Sequence, residues 1–118
     1  MWDTGKQVSE MPAKKLSLEE QLAAFAWLQA LGTIIAAIGQ SKSLSPRKRD
    51  QKEAVQLSIL GNAVQSTANA AQAVLTDRLR AKAANQQAVD LMIAGHVLQS
   101  IGNALQVIAD SEESEIDV

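Results

Sequence analysis

Three apolar runs in this 118-residue chain close on glycine at the same point, and this coincidence constrains the fold more than any other feature. Leu28-Gln29-Ala30-Leu31-Gly32, Leu57-Ser58-Ile59-Leu60-Gly61 and Leu91-Met92-Ile93-Ala94-Gly95 align without gaps. Each glycine lies at or next to a seven-residue unit of small, polar, small or apolar, apolar, often Gln, variable and apolar residues. The unit repeats directly over residues 95–101 and 102–108. A seven-residue period stacks equivalent positions along one seam of a helix. An interior helical glycine costs about 1 kcal/mol relative to alanine. Gly32, Gly61, Gly95 and Gly102 together therefore cost on the order of 4 kcal/mol, against a typical stability of about 5–15 kcal/mol. The compensation available is close approach of neighbouring backbones where no Cβ intervenes.

The same period sorts the larger residues. Leu57, Val64 and Ala71 form one line and Leu60, Thr67 and Val74 a second. In the last run the equivalent lines are Leu91, Leu98, Leu105 and Ala94, Ile101, Ile108. Gly61, Ala68, Gly95 and Gly102 fall beside these lines; Leu28, Gly32 and Gly39 take part in the first run. The expected packing seam is thus Gly and Ala flanked by Leu and Val. A leucine at Gly61 or Gly95 is expected to overpack it. Amides repeat as well, at Gln29, Gln65, Gln72, Gln99 and Gln106, with Asn62, Asn69 and Asn103 following the small position. Such amides are either the wet flanks of each seam or hydrogen-bonded links that fix register between helices or between copies.

Local signals divide the chain. Residues 1–15 are polar and aperiodic, an expected flexible arm. Ser17-Leu18-Glu19-Glu20 is a capping box, and its two acids suit the positive end of a helix dipole. Gly39 stands near a plausible end of that helix. In the turn that follows, Ser45 is a natural N-cap and Pro46 a natural first helical residue. The bases Arg47, Lys48, Arg49 and Lys52 then oppose the dipole of the second helix. No Gly or Pro compels a break before the third helix, and Thr76-Asp77 and Asn85 both read as caps. Residues 110–118 carry five acids and no base, an expected solvated tail. The reading is an all-α antiparallel bundle of three long helices, over 17–39, 46–75 and 77 or 86 to 109, forming one repeat domain over 16–109. Aromatics at 3% and two prolines agree with it.

Trp27 to Gly39, together with Gly102-Asn103-Ala104-Leu105-Gln106, resembles an uncharacterised family of repetitive proteins from spore-forming Gram-positive bacteria, similarly built from Gly-Asn and Gln-bearing helical units. The resemblance covers roughly residues 20–109 and implies no activity.

Chemistry is hard to place on this chain. His96 is the sole histidine and cysteine is absent, so no set of three or four converging metal ligands can be assembled around them. His96 occupies the repeat position of Asn62, which makes it a surface or seam residue. Nucleophile elbow, phosphate loop and dinucleotide fingerprint are all missing. The expected catalytic, metal and cofactor residues are therefore none, and an enzyme is not expected. A net charge of −2, and bases at 47–52 and 78–82 without interleaved aromatics, argue against nucleic acid. No signal peptide is visible, so the cytoplasm is the default location.

The first helix is uncharged from Leu22 to Gly39 and apolar around most of its circumference. Two neighbours from the same chain cannot cover such a surface. Self-association into a homo-oligomer, or a helical protein partner, is the leading expectation. Membrane association through helix 22–39 is the alternative, with Gln29 in mid-segment and bases on both sides weighing against it.

Overall fold

The computed structural model describes residues 16–116 and is all-helical there. Three long helices, α1 (Leu18–Lys42), α2 (Lys48–Arg78) and α3 (Gln86–Ile116), follow one another with a 3-10 turn at Arg80–Lys82. Helix α1 packs on α2 and α3 packs on α2. The expected arm at 1–15 lies outside the described residues.

The capping box forms as the sequence predicts. Ser17 Oγ accepts from the Glu20 backbone N–H and the Glu20 carboxylate accepts from the Ser17 N–H, both at 3.1 Å. Three boundaries differ from expectation. Gly39 does not end α1, because it keeps right-handed helical geometry and packs against α2. Ser45 caps indirectly: its hydroxyl accepts from the Arg47 N–H and donates to Asp50 Oδ2, so the helix starts at Lys48 with Arg47 as N-cap. Of the two candidate starts for α3, the later one is used. Asn85 Oδ1 accepts from the Ala88 N–H, and Arg80 staples the turn through Asp77 and Asp90. At the other end α3 runs on to Ile116, so residues 110–116 belong to the helix rather than to a solvated tail.

Glycine sets the distance between α1 and α2. A Cβ on Gly61 would lie 2.6 Å from both the Ala36 nitrogen and the Gly32 carbonyl oxygen. Reciprocally, a Cβ on Gly32 would lie 2.8 Å from the Gly61 oxygen, and one on Gly39 2.9 Å from the Ala54 oxygen. Backbones therefore touch along this seam, and the cost of three glycines is returned as dispersion contact. Gly95 and Gly102 behave differently, for nothing approaches either within 4 Å. Overpacking by leucine is accordingly expected at Gly61 but, within one chain, not at Gly95.

The core that results is small and polar. Its buried apolar residues are Ala36, Ala54, Ala68, Ala73, Leu75 and Val89; beside them Asn62, Asn69, Gln72 and Thr76 are buried too. The heptad line facing α1 is Ala54, Gly61, Ala68 and Leu75, and the polar line one residue on is Asn62, Asn69 and Thr76. Most large apolar side chains lie outside. Trp27 is 78% exposed, and Leu31, Ile34, Ile38, Leu60 and Val74 are exposed with it. The most apolar helix thus sits at the edge, and amide-bearing α2 sits in the middle.

Candidate functional site

Two features stand apart from ordinary packing: a chain of polar contacts along the inner face of α2, and an apolar outer surface enclosed between two charged ends.

The polar contacts join all three helices. Gln72 Nε2 donates to Gln29 Oε1 at 2.9 Å and also to the Ala68 carbonyl, tying α1 to α2. Gln29 Nε2 in turn donates to Gln99 Oε1 at 3.4 Å, a direct bond between α1 and α3. Toward α3, Ser66 and Ser100 each donate to the other's backbone carbonyl at 2.9 Å, a reciprocal clasp. Asn69, 0% exposed, donates through Nδ2 to the Gln65 carbonyl, and its Oδ1 lies 3.1 Å from His96 Nδ1. With Oδ1 an acceptor, Nδ1 of the imidazole must carry a hydrogen. Ser58 donates to Asp110 Oδ2 at 2.6 Å and receives from Asn62 Nδ2. Among the described residues no buried side-chain polar atom lacks a partner. Leaving one unpaired would cost about 1–3 kcal/mol, so these bonds fix the antiparallel register of α2 against both neighbours.

Between α1 and α3 the same face of α2 stays open. One depression of about 440 Å³ is lined by Gln29, Gln65, Asn69, Gln99, Gly102, Asn103 and Gln106. It adjoins a second, of about 400 Å³, that reaches Asp110 and Glu113. The side chains of Gln65, Asn103 and Gln106 make no hydrogen bond among the described residues.

The amides expected from the heptad thus divide. Gln29, Gln72 and Gln99 bond between helices, whereas Gln65 and Gln106 line the open groove. The seam residues also divide. Gly32, Gly39, Gly61 and Ala68 are buried between α1 and α2, and Leu57 and Val64 are half-buried beside them. Leu28 is exposed, as are Leu60 and Val74. On α3 the line that meets α2 is Val89, Ile93, His96, Ser100, Asn103, Val107 and Asp110, while Leu91, Leu98, Leu105, Ile101 and Ile108 face outward. The physical reason is that α2 presents Ser58, Ser66 and Asn69 to α3, and only the polar flank of α3 can satisfy them. Reading the leucines as the inner line overlooked that bias; Ser66 and Ser100 were visible only as variable positions in the repeat.

Among the described residues, charge is confined to the ends of the helices. Residues 21–41, 54–76 and 91–109 contain no Asp, Glu, Lys or Arg. At about 1.5 Å per residue each stretch measures about 28–34 Å. Glu19, Glu20, Asp77, Arg78, Arg80, Lys82 and Asp90 lie at one end; Lys42, Asp50, Glu53, Asp110, Glu112, Glu113 and the basic cluster 47–52 lie at the other. Within the second group Lys42 Nζ approaches Glu53 Oε2 at 2.6 Å. That hydrogen bond, with its charge, raises Lys42 above its ordinary value and lowers Glu53 below its own. Asp90 and Asp77 likewise raise Arg80. Helices α1 and α3 are both long and apolar enough to cross a membrane. Among the described residues no group of three His, Asp or Glu is placed to hold a metal ion.

A family model described as a family of unknown function (DUF6944) matches residues 20–86, more than half of the chain. The chain belongs to that family. The matched span covers α1, α2, the glycine contacts between them and the stapled turn, and stops where α3 begins. What DUF6944 describes is therefore chiefly the α1–α2 hairpin. No curated protein and no solved structure matches the chain.

Proposed function

We propose that this member of DUF6944 is a non-enzymatic structural protein that works by helix–helix packing and self-association. The observation that carries the reading is the inverted distribution of side chains. Asn62, Asn69, Gln72 and Thr76 are buried, while most leucines and isoleucines of α1 and α3, among them Leu31, Ile34, Ile38, Leu91, Leu98 and Leu105, are exposed between the charged ends. A monomer in water rarely leaves so much apolar surface uncovered. A chain that associates through its outer faces needs that surface, and needs its inner polar bonds to hold three helices in register meanwhile. The recurring unit supports kinship with the repetitive helical proteins of spore-forming Gram-positive bacteria.

A second reading has its own observation. The charge-free segments match the thickness of a bilayer core, about 30 Å, and Thr33 and Ser41 return their hydroxyls to the carbonyls of Gln29 and Ala37. Lipid rather than protein would then cover the belt. Sedimentation of the full chain with and without a mild detergent separates the two. A soluble species larger than one chain, present without detergent, supports self-association. Pelleting that only detergent or lipid relieves assigns the belt to a membrane.

A further inference from the structure

Helix α3 carries an outer line of Leu91, Leu98 and Leu105, exposed by 68%, 69% and 60%. Beside it run Gly95 and Gly102, which have open space where the matching Gly61 has a neighbouring backbone. We infer that this face docks a second copy of the chain, with the two α3 helices antiparallel about a two-fold axis near Leu98. The inference rests on the self-association reading and says where the interface lies.

Three observations single out this occupant and direction. The spacing is symmetric about the proposed axis. Reversing α3 on itself there brings Leu91 onto the partner's Leu105 and Leu98 onto the partner's Leu98, with Gly95 one residue from register with the partner's Gly102. An isologous interface requires this self-complementarity. Charge gives the direction. Glu113 lies in the last turns of α3 on the glycine side, where it lines the groove. It forms no ion pair among the described residues, and neither does Lys82 in the turn before α3. The antiparallel arrangement brings Glu113 to the end of the partner that carries Lys82, whereas a parallel one stacks Glu113 on the partner's Glu113 and repels. Finally, the chain shows internally what such a seam looks like. Gly32 and Gly61 meet backbone to backbone in an antiparallel pair, and Gly95 and Gly102 are the same repeat position without a counterpart.

The natural chain has no cysteine, so single-cysteine variants read the pairing directly. Leu98→Cys, oxidised gently in buffer and in detergent micelles, is expected to cross-link to itself. Glu113→Cys alone should not, but mixed with Lys82→Cys it should form the heterodimer, because disulfides form only at Cα separations below about 7 Å. Gly95→Leu is expected to abolish the association while leaving the helical circular dichroism intact. Self-linking by Glu113→Cys, or no linking by Leu98→Cys in a chain that still associates, would overturn the α3 interface and leave self-association standing. A chain that sediments as a monomer throughout would remove both.

Discussion

Replacing Gly61 by alanine tests the close approach of α1 and α2 with the smallest possible change. Propensity alone predicts a gain, since alanine is better than glycine in a helix interior by about 1 kcal/mol. The added methyl, however, would meet the Ala36 nitrogen and Gly32 oxygen at 2.6 Å and the Ala36 Cβ at 2.9 Å. Two of these three atoms are backbone, so no side chain can rotate away. An ordinary contact near 3.5 Å requires α1 and α2 to separate by close to ~1 Å, and a gap of that size forfeits a quarter to a half of each dispersion well along the seam. Overpacking of this kind costs about 1–3 kcal/mol and here acts on a core made largely of alanine. Set against the propensity gain, a net loss of about 1 kcal/mol is expected, or about 5 °C in melting temperature for a domain of this size. Thermal melts followed at 222 nm, at fixed protein concentration, measure it. A Gly61→Ala chain that melts at or above the parent temperature would refute the close-approach argument.

Other consequences follow from the polar contacts. Asn69→Leu removes the acceptor of His96 and places an apolar side chain in a fully buried amide site; a loss of about 1–3 kcal/mol by denaturant titration is expected. Ser66→Ala and Ser100→Ala each remove half of the reciprocal clasp, and a double-mutant cycle should show a coupling of about 0.5–1.5 kcal/mol rather than additivity. For Glu53, the folded state lowers the carboxyl below its ordinary value of 4.5, so its contribution is present above that pH and lost as pH falls through the lowered value. Lys42 is raised, so its contribution is present below 10.5 and lost at higher pH. The melting difference between the parent and Glu53→Gln should therefore be small, present at neutral pH, and should shrink as the pH falls below 4.5.

Much of this architecture was legible in the sequence, and the reason lies in the period. Glycines at matching points of three runs, the Ser17–Glu20 box and the Ser45-Pro46 turn specify three helices and their joints, because each acts locally. Close approach at the matching glycines was an expectation of the same kind, but that Gly32 meets Gly61 was not legible. The side of α3 that turns inward was not. Heptad reasoning assigns the inner face to leucine, whereas α2 offers serine and asparagine there, and the hydrogen bonds of Ser66 and Asn69 outweigh the burial of Leu98. A pattern read within one helix carries no information about which flank a neighbour will satisfy. Gly39 misled in the same way: a glycine near the end of an apolar run signals both a stop and a contact, and only α2 at its side decides between them.

The claim on which the rest depends is that the exposed apolar belt is covered by other copies of the chain. The mass of the full-length protein in detergent-free buffer, measured by light scattering over a dilution series, tests it most directly. The account predicts an integral multiple of the 12.6 kDa chain mass at working concentration, falling toward one chain only on dilution. A soluble species of 12.6 kDa at every concentration would contradict it.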